Sequence, residues 1–112
     1  MSFRDGFTIF HTADLERAAA FYVEQLGFEE VYRFEDAYVA LAGPLKLGLA
    51  AVEKLEPAGR ASIWLYCDDV DVEVERLRAS GAVTRHEPED MEWGERMAMV
   101  LDPDGNTICI AK

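Results

Sequence analysis

Apolar and polar positions alternate along this chain with two periods, and the switches between them mark out the elements. The opening "FTIFHTAD" alternates as a strand does. In "DLERAAAFYVEQLGF" the period lengthens, so that Leu15, Ala18, Ala19, Tyr22 and Leu26 fall on one face of a helix. Asp14 stands where an N-cap side chain accepts the first free N–H groups, and Gly27 where the chain leaves the helix. Three strand-like pieces follow, "EEVYRF", "AYVALA" and "LKLGLAAV", divided by the turn residues Glu35-Asp36 and Gly43-Pro44.

The second half repeats the order. "ASIWLYC" reads as a strand and "DDVDVEVERLRASGA" as a helix with Val70, Val74 and Leu77 on one face and Gly81 at its end; three more extended pieces close the chain. Asp14 and Asp69 stand 55 residues apart, and Gly27 and Gly81 stand 54 apart. The pattern predicts two βαβββ modules in tandem: module one over 5–53, a linker over 54–60 and module two over 61–112. The fold class is α+β, a single domain of 1–112.

Strand alternation assigns faces. Ala61, Ile63, Leu65 and Cys67 are expected to meet a helix, leaving Ser62, Trp64 and Tyr66 on the free side of the sheet. In the last strand Ile108 and Ile110 point inward and Thr107, Cys109 and Ala111 outward; Leu47 and Leu49 point inward, and Lys46, Gly48 and Ala50 outward. Cys67 and Cys109 therefore fall on opposite faces, and both are expected as free thiols. The candidates for the free sides, Phe7, Ile9, His11, Tyr38, Ser62, Trp64, Tyr66, Met97 and Met99, make much aromatic and thioether surface, the usual wall of a small-molecule site. The competing reading is a second core or a subunit interface.

Composition narrows the partners. The 112 residues suit one compact domain, with 50% apolar and 29% charged residues. Asp plus Glu number 22 against 11 Lys plus Arg, a formal charge of -11, and that field repels phosphate backbones and anionic lipid while favouring cationic ligands. No nucleic acid and no membrane partner is expected. "MSFRDGF" lacks the apolar run of a secretion signal, so the expected location is cytoplasmic.

Four pieces, "HTADLERAAAFYVEQLGFEEVY", "YVALAGPLKLGL", "DDVDVEVERLRASGA" and "WGERMAMVLDPDGN", together resemble the glyoxalase, bleomycin-resistance and extradiol-dioxygenase superfamily, the vicinal oxygen chelate fold. The resemblance implies two βαβββ modules whose mixed sheets form a cup with the helices on the outer face. It also implies a homodimer, with paired modules from one chain or exchanged between two. In the family's metal enzymes the first and fourth strands of each module supply His, Glu or Gln ligands to a divalent ion. Here those places fall on Phe7, Gly48, Ser62 and Cys109, of which phenylalanine and glycine carry no donor, a serine hydroxyl is a poor one and a lone thiolate holds zinc or iron weakly.

No metal or other cofactor is therefore expected. A relocated metal site would have to draw on His11, Glu53, His86 or Glu95, and His86 reads as a solvent-facing loop residue. There is no Gly-rich phosphate loop and no Gly-x-Ser-x-Gly elbow, and Cys109 has no evident base beside it; no catalytic residue is assigned.

Within the superfamily the chain is similar to the bleomycin-resistance branch, whose members sequester an antibiotic without altering it. The likeness lies in length, acidity and the "EWGERMAMVLDPDGN" ending. It implies a homodimeric binding protein for a hydrophobic, planar or cationic small molecule. Tyr38, Trp64 and Trp93 would stack on it, Met97 and Met99 would form an adaptable floor, and the Trp93-Gly94 loop would close over it. The alternative is a metal-dependent lyase, isomerase or oxygenase with a displaced site.

Overall fold

Each half of the chain builds a four-stranded mixed sheet with a helix against one face. The structure, a computed structural model, describes residues 4–57 and 61–112; the last three residues of the expected linker, 58–60, lie outside the described residues. In order the elements are β1 (Thr8–Thr12), α1 (Leu15–Ala20) running into a π-helical turn (Phe21–Gln25), β2 (Glu29–Phe34), β3 (Tyr38–Ala42), β4 (Leu47–Ala51), β5 (Ser62–Tyr66), α2 (Val70–Ala79), β6 (Val83–Asp90), β7 (Arg96–Leu101) and β8 (Thr107–Ala111). The strand orders are β1-β4-β3-β2 and β5-β8-β7-β6, with the first pair of each parallel and the others antiparallel. The chain divides into two compact units between Glu56 and Pro57.

Both helices begin as their sequences dictate. The Asp14 carboxylate accepts from Arg17 N at 3.1 Å and that of Asp69 from Val72 N at 3.1 Å, so each satisfies an N–H that the helix leaves without a partner. Gly27 and Gly81 end the helical segments at φ +78° and +99°, a region that side-chain-bearing residues enter at a steric cost.

The helix-facing core of module one consists of Leu15, Ala18, Ala19 and Tyr22 against Val39, Leu41, Leu47 and Leu49; in module two Val70, Val74 and Leu77 meet Ala98, Val100, Ile108 and Ile110. The inward assignments of Leu47, Leu49, Ile63, Leu65, Ile108 and Ile110 match this burial.

Two local departures from simple periodicity matter. The first helix does not stay α-helical: Leu26 N bonds Phe21 O at 3.2 Å, one residue further back than the α pattern. The extra residue turns Phe21 into the core beside Tyr22, with their rings edge to face at 5.3 Å, and leaves Leu26 only half-buried. The second departure is β6, which carries His86 within a strand instead of the loop expected for it. That strand lies at the sheet edge, where Pro88 removes no ladder bond from a second neighbour.

Candidate functional site

In each module the sheet face away from the helix, here called the distal face, carries the side chains that the core does not use. Exposed large apolar residues gather there: Phe7, Ile9, Val31, Tyr32 and Phe34 in module one, and Trp64, Tyr66 and Val83 in module two. Only Val23, Val72 and Trp93, among the described exposed residues of this kind, lie elsewhere. Burying so much apolar surface against water-excluding material is favourable by about 25 cal/mol per Å2.

The module-one face is a shallow apolar hollow of about 270 Å3, walled by Phe7, Val31 and Tyr38 and floored by Ala40 and Ala42, with Lys46 as its charged lining residue. Cross-strand register explains the floor: Ile9, Gly48, Ala40 and Tyr32 lie in one row, and His11, Ala50, Tyr38 and Phe34 in the next. The Tyr38 ring lies over Gly48 so closely that a Cβ there would stand 2.8 Å from its Cε1. Glycine at 48 is what lets the aromatic wall fold flat onto the sheet.

The rows of module two hold different chemistry. Trp64, Cys109, Met99 and His86 are cross-strand neighbours, and Ser62, Thr107, Leu101 and Val83 form the row beside them. The register of β6 slips between Thr84 and His86, as that of β2 slips between Glu30 and Tyr32. Such a bulge sets two consecutive residues opposite one partner and re-aims their side chains. In module one it brings Val31 to the hollow. In module two it sends Arg85 across β7 to donate from Nη1 to Thr107 Oγ1 at 2.7 Å. Nδ1 of the adjacent His86 is buried with no hydrogen-bond partner among the described residues.

The thiols are quiet. Burial pushes Cys109 above its ordinary pKa, an effect partly offset by a hydrogen bond with the Ser62 hydroxyl and by the Arg85 charge. Burial likewise raises Cys67, with a smaller opposing contribution from a backbone hydrogen bond at Asp69. Neither cysteine is in a disulfide, and a thiol held protonated is a weak nucleophile. At the far end of this face the Tyr66 hydroxyl hydrogen-bonds the Glu95 carboxylate, which raises the phenol's pKa, and Trp93 Nε1 donates to Glu95 Oε1 at 2.8 Å.

The expected site residues thus divide by module. Phe7, Ile9, His11 and Tyr38 share the distal face of module one, and Ser62, Trp64, Tyr66, Met97, Met99 and Cys109 that of module two. Met97 and Cys109 are 3% and 1% exposed, so they shape that face from beneath. Trp93 stands apart, in the β6–β7 turn. Sequence reasoning missed Val31, Arg85 and His86 as distal-face residues, because the alternation that assigns faces breaks at a bulge. No residue in either run announces the bulge.

The four positions at which the resemblance implies metal ligands carry few donors. Phe7 presents a ring, Gly48 is covered by Tyr38, and Ser62 and Cys109 offer one hydroxyl and one protonated thiol. Among the described residues no three His, Cys, Asp or Glu side chains group as metal ligands. No described helix is long and apolar enough to cross a membrane.

Comparison with known proteins places these features. The family model described as Glyoxalase/Bleomycin resistance protein/Dioxygenase superfamily matches residues 7–110. A bleomycin resistance protein of Klebsiella pneumoniae is 35% identical over 103 residues, covering 85% of this chain and 81% of that protein. The solved structure of a bleomycin-binding protein in complex with bleomycin is 31% identical with a TM-score of 0.74, covering 98% of both chains. A lactoylglutathione lyase from Agrobacterium tumefaciens, at 23% identity and a TM-score of 0.77 over 96% of this chain and 92% of its own, shares the fold.

Proposed function

This chain belongs to the glyoxalase/bleomycin resistance protein/dioxygenase superfamily, and we propose that within it the protein captures a small molecule of antibiotic type and holds it without altering it. One observation carries the reading: the exposed apolar and aromatic side chains gather on the distal sheet faces, where Phe7 and Gly48 stand at places in which the resemblance implies metal donors. Phe7, Ile9, His11 and Tyr38 are the contact residues of module one, and Ser62, Trp64 and Tyr66 those of module two, where Met97, Met99 and Cys109 lie beneath them and Trp93 closes from its turn. The ligand is hydrophobic or planar with a cationic group, which the net charge of -11 attracts. No metal centre takes part. Similarity to a bleomycin resistance protein and to a bleomycin-binding protein supports this class of guest.

The protein works as a homodimer, because an exposed apolar sheet face is costly in water and a second copy supplies the cover. Light scattering should give twice the monomer mass.

Titration with bleomycin tests the capture. Trp64, 37% exposed on the module-two face, should change its emission and saturate at a fixed stoichiometry, with the antibiotic recovered unchanged. No change in emission and no heat of binding, across bleomycin and a panel of cationic aromatic compounds, would sink the proposal. Stoichiometric metal in protein purified without added ions, with turnover lost to chelator and restored by the ion, would favour an enzyme instead.

A further inference from the structure

Charge pairing singles out one arginine. Among the described residues Arg4, Arg17, Arg33, Arg76, Arg78 and Arg96 each face a carboxylate. Among the same described residues none of the carboxylates, in a chain with 22 acidic residues, pairs with Arg85. Its side chain is not loose: the β6 bulge throws it over β7, and Nη1 is tethered to Thr107 Oγ1 at 2.7 Å. The rest of its planar fork has no protein acceptor among the described residues. A guanidinium fork matches the two oxygens of a carboxylate in geometry and charge.

The surroundings complete a receptor. Ser62 lies opposite Thr107 in the sheet register, is exposed, and hydrogen-bonds the Cys109 sulfur. Its hydroxyl points its proton at that sulfur and, being a rotor, can turn the proton outward to a bound carboxylate. Trp64, two residues along the same strand face, offers a flat apolar surface beside the polar group. His86, from the same bulge, flanks the site with its Nδ1 buried and without a hydrogen-bond partner among the described residues.

We propose that Arg85, held by Thr107 and assisted by Ser62, is a binding site for the carboxylate of an apolar or aromatic small molecule that rests on Trp64. The site extends the ligand chemistry beyond a cationic guest. A zwitterion would satisfy both sites, and a guest of one charge does not test the other.

Isothermal titration of the full chain with 2-naphthoate, its neutral isostere 2-naphthamide and inorganic phosphate decides the matter. A charge-assisted pair corresponds to about ten- to a hundredfold in affinity, so naphthoate should bind at least about tenfold tighter than the amide. Arg85→Gln should erase that preference and leave the amide unaffected; Ser62→Ala should reduce it in part. Both side chains are exposed, and unchanged thermal unfolding would confirm intact variants. The Arg85 Nε–H resonance should shift with naphthoate. Equal affinity for acid and amide, a preference that survives Arg85→Gln, or no shift of that resonance at millimolar naphthoate would overturn the assignment. Phosphate binding as tightly as naphthoate would overturn the apolar carboxylate as its ligand.

Discussion

The two modules share a backbone and differ in what they show on the distal face. Leu47 and Ile108 occupy equivalent inward places on their fourth strands, as do Leu49 and Ile110, and the same bulge interrupts the second strand of one module and its counterpart in the other. On the opposite side the correspondence ends. Where module one sets Ile9, Gly48, Ala40 and Tyr32 in a row, module two sets Trp64, Cys109, Met99 and His86. The bulge delivers Val31 to an apolar hollow in the first and Arg85 to a threonine in the second. A βαβββ frame is specified by the side chains packed under its helix, which leaves the other face free to diverge in chemistry.

That comparison can be broken most forcefully in the cores. Leu47→Ala and Ile108→Ala each empty a side chain at most 1% exposed, and each should cost about 2–5 kcal/mol in urea unfolding. If one truncation proved nearly silent, the helix-facing cores would not be equivalent.

Next in size is Gly48→Val, which has no counterpart because module two already carries a side chain there. The new Cβ meets the Tyr38 ring, and overpacking of this kind costs about 1–3 kcal/mol. Near-ultraviolet circular dichroism should register the displaced tyrosine, and any ligand seated in the module-one hollow should bind more weakly. An unchanged spectrum would mean that the ring does not depend on glycine.

The N-caps sharpen the likeness further. Asp14→Ala and Asp69→Ala should each lower stability by about 1 kcal/mol, measured by chemical denaturation. A much larger loss at Asp14 would show that the π-helical turn after α1 leaves that helix more dependent on its start.

The smallest effect belongs to the exposed ion pairs that tie sheet to helix. Arg33 joins Glu30 and reaches Glu16 on α1, and Arg96 grips Asp71 of α2 at 2.7 and 2.9 Å. Hydrogen bonds from these arginines hold the Glu30 and Asp71 carboxyls below their ordinary pKa. A carboxyl whose folded value is depressed adds stability above its unfolded value and loses it as pH falls through the folded one. Arg33→Met and Arg96→Met should therefore lower the melting temperature slightly at neutral pH. Their difference from the parent should vanish below the ordinary carboxylate range, and high salt should shrink it as well.

Much of the frame was legible in the residues. Asp14 and Gly27, then Asp69 and Gly81, bracket the helical segments because capping and positive φ are local demands that a few side chains meet. The faces of β3, β4, β5 and β8 follow from strict alternation. Legibility failed where geometry is not periodic. Nothing in "AAAFYVEQ" announces an i+5 hydrogen bond, and nothing in "VTRHEPED" says that Arg85 and His86 sit at a bulge. The loop expected for His86 gave way to a strand because β7 offered a partner for its backbone.

By itself, then, the sequence determined the order of elements, the two helix-facing cores and the family, since these rest on spacing and burial that each segment encodes locally. Only the tertiary structure decided that Tyr38 lies across Gly48, that Arg85 reaches Thr107, and that the two distal faces differ in kind. Those facts depend on register between strands distant in sequence, where one bulge moves a side chain onto a different neighbour.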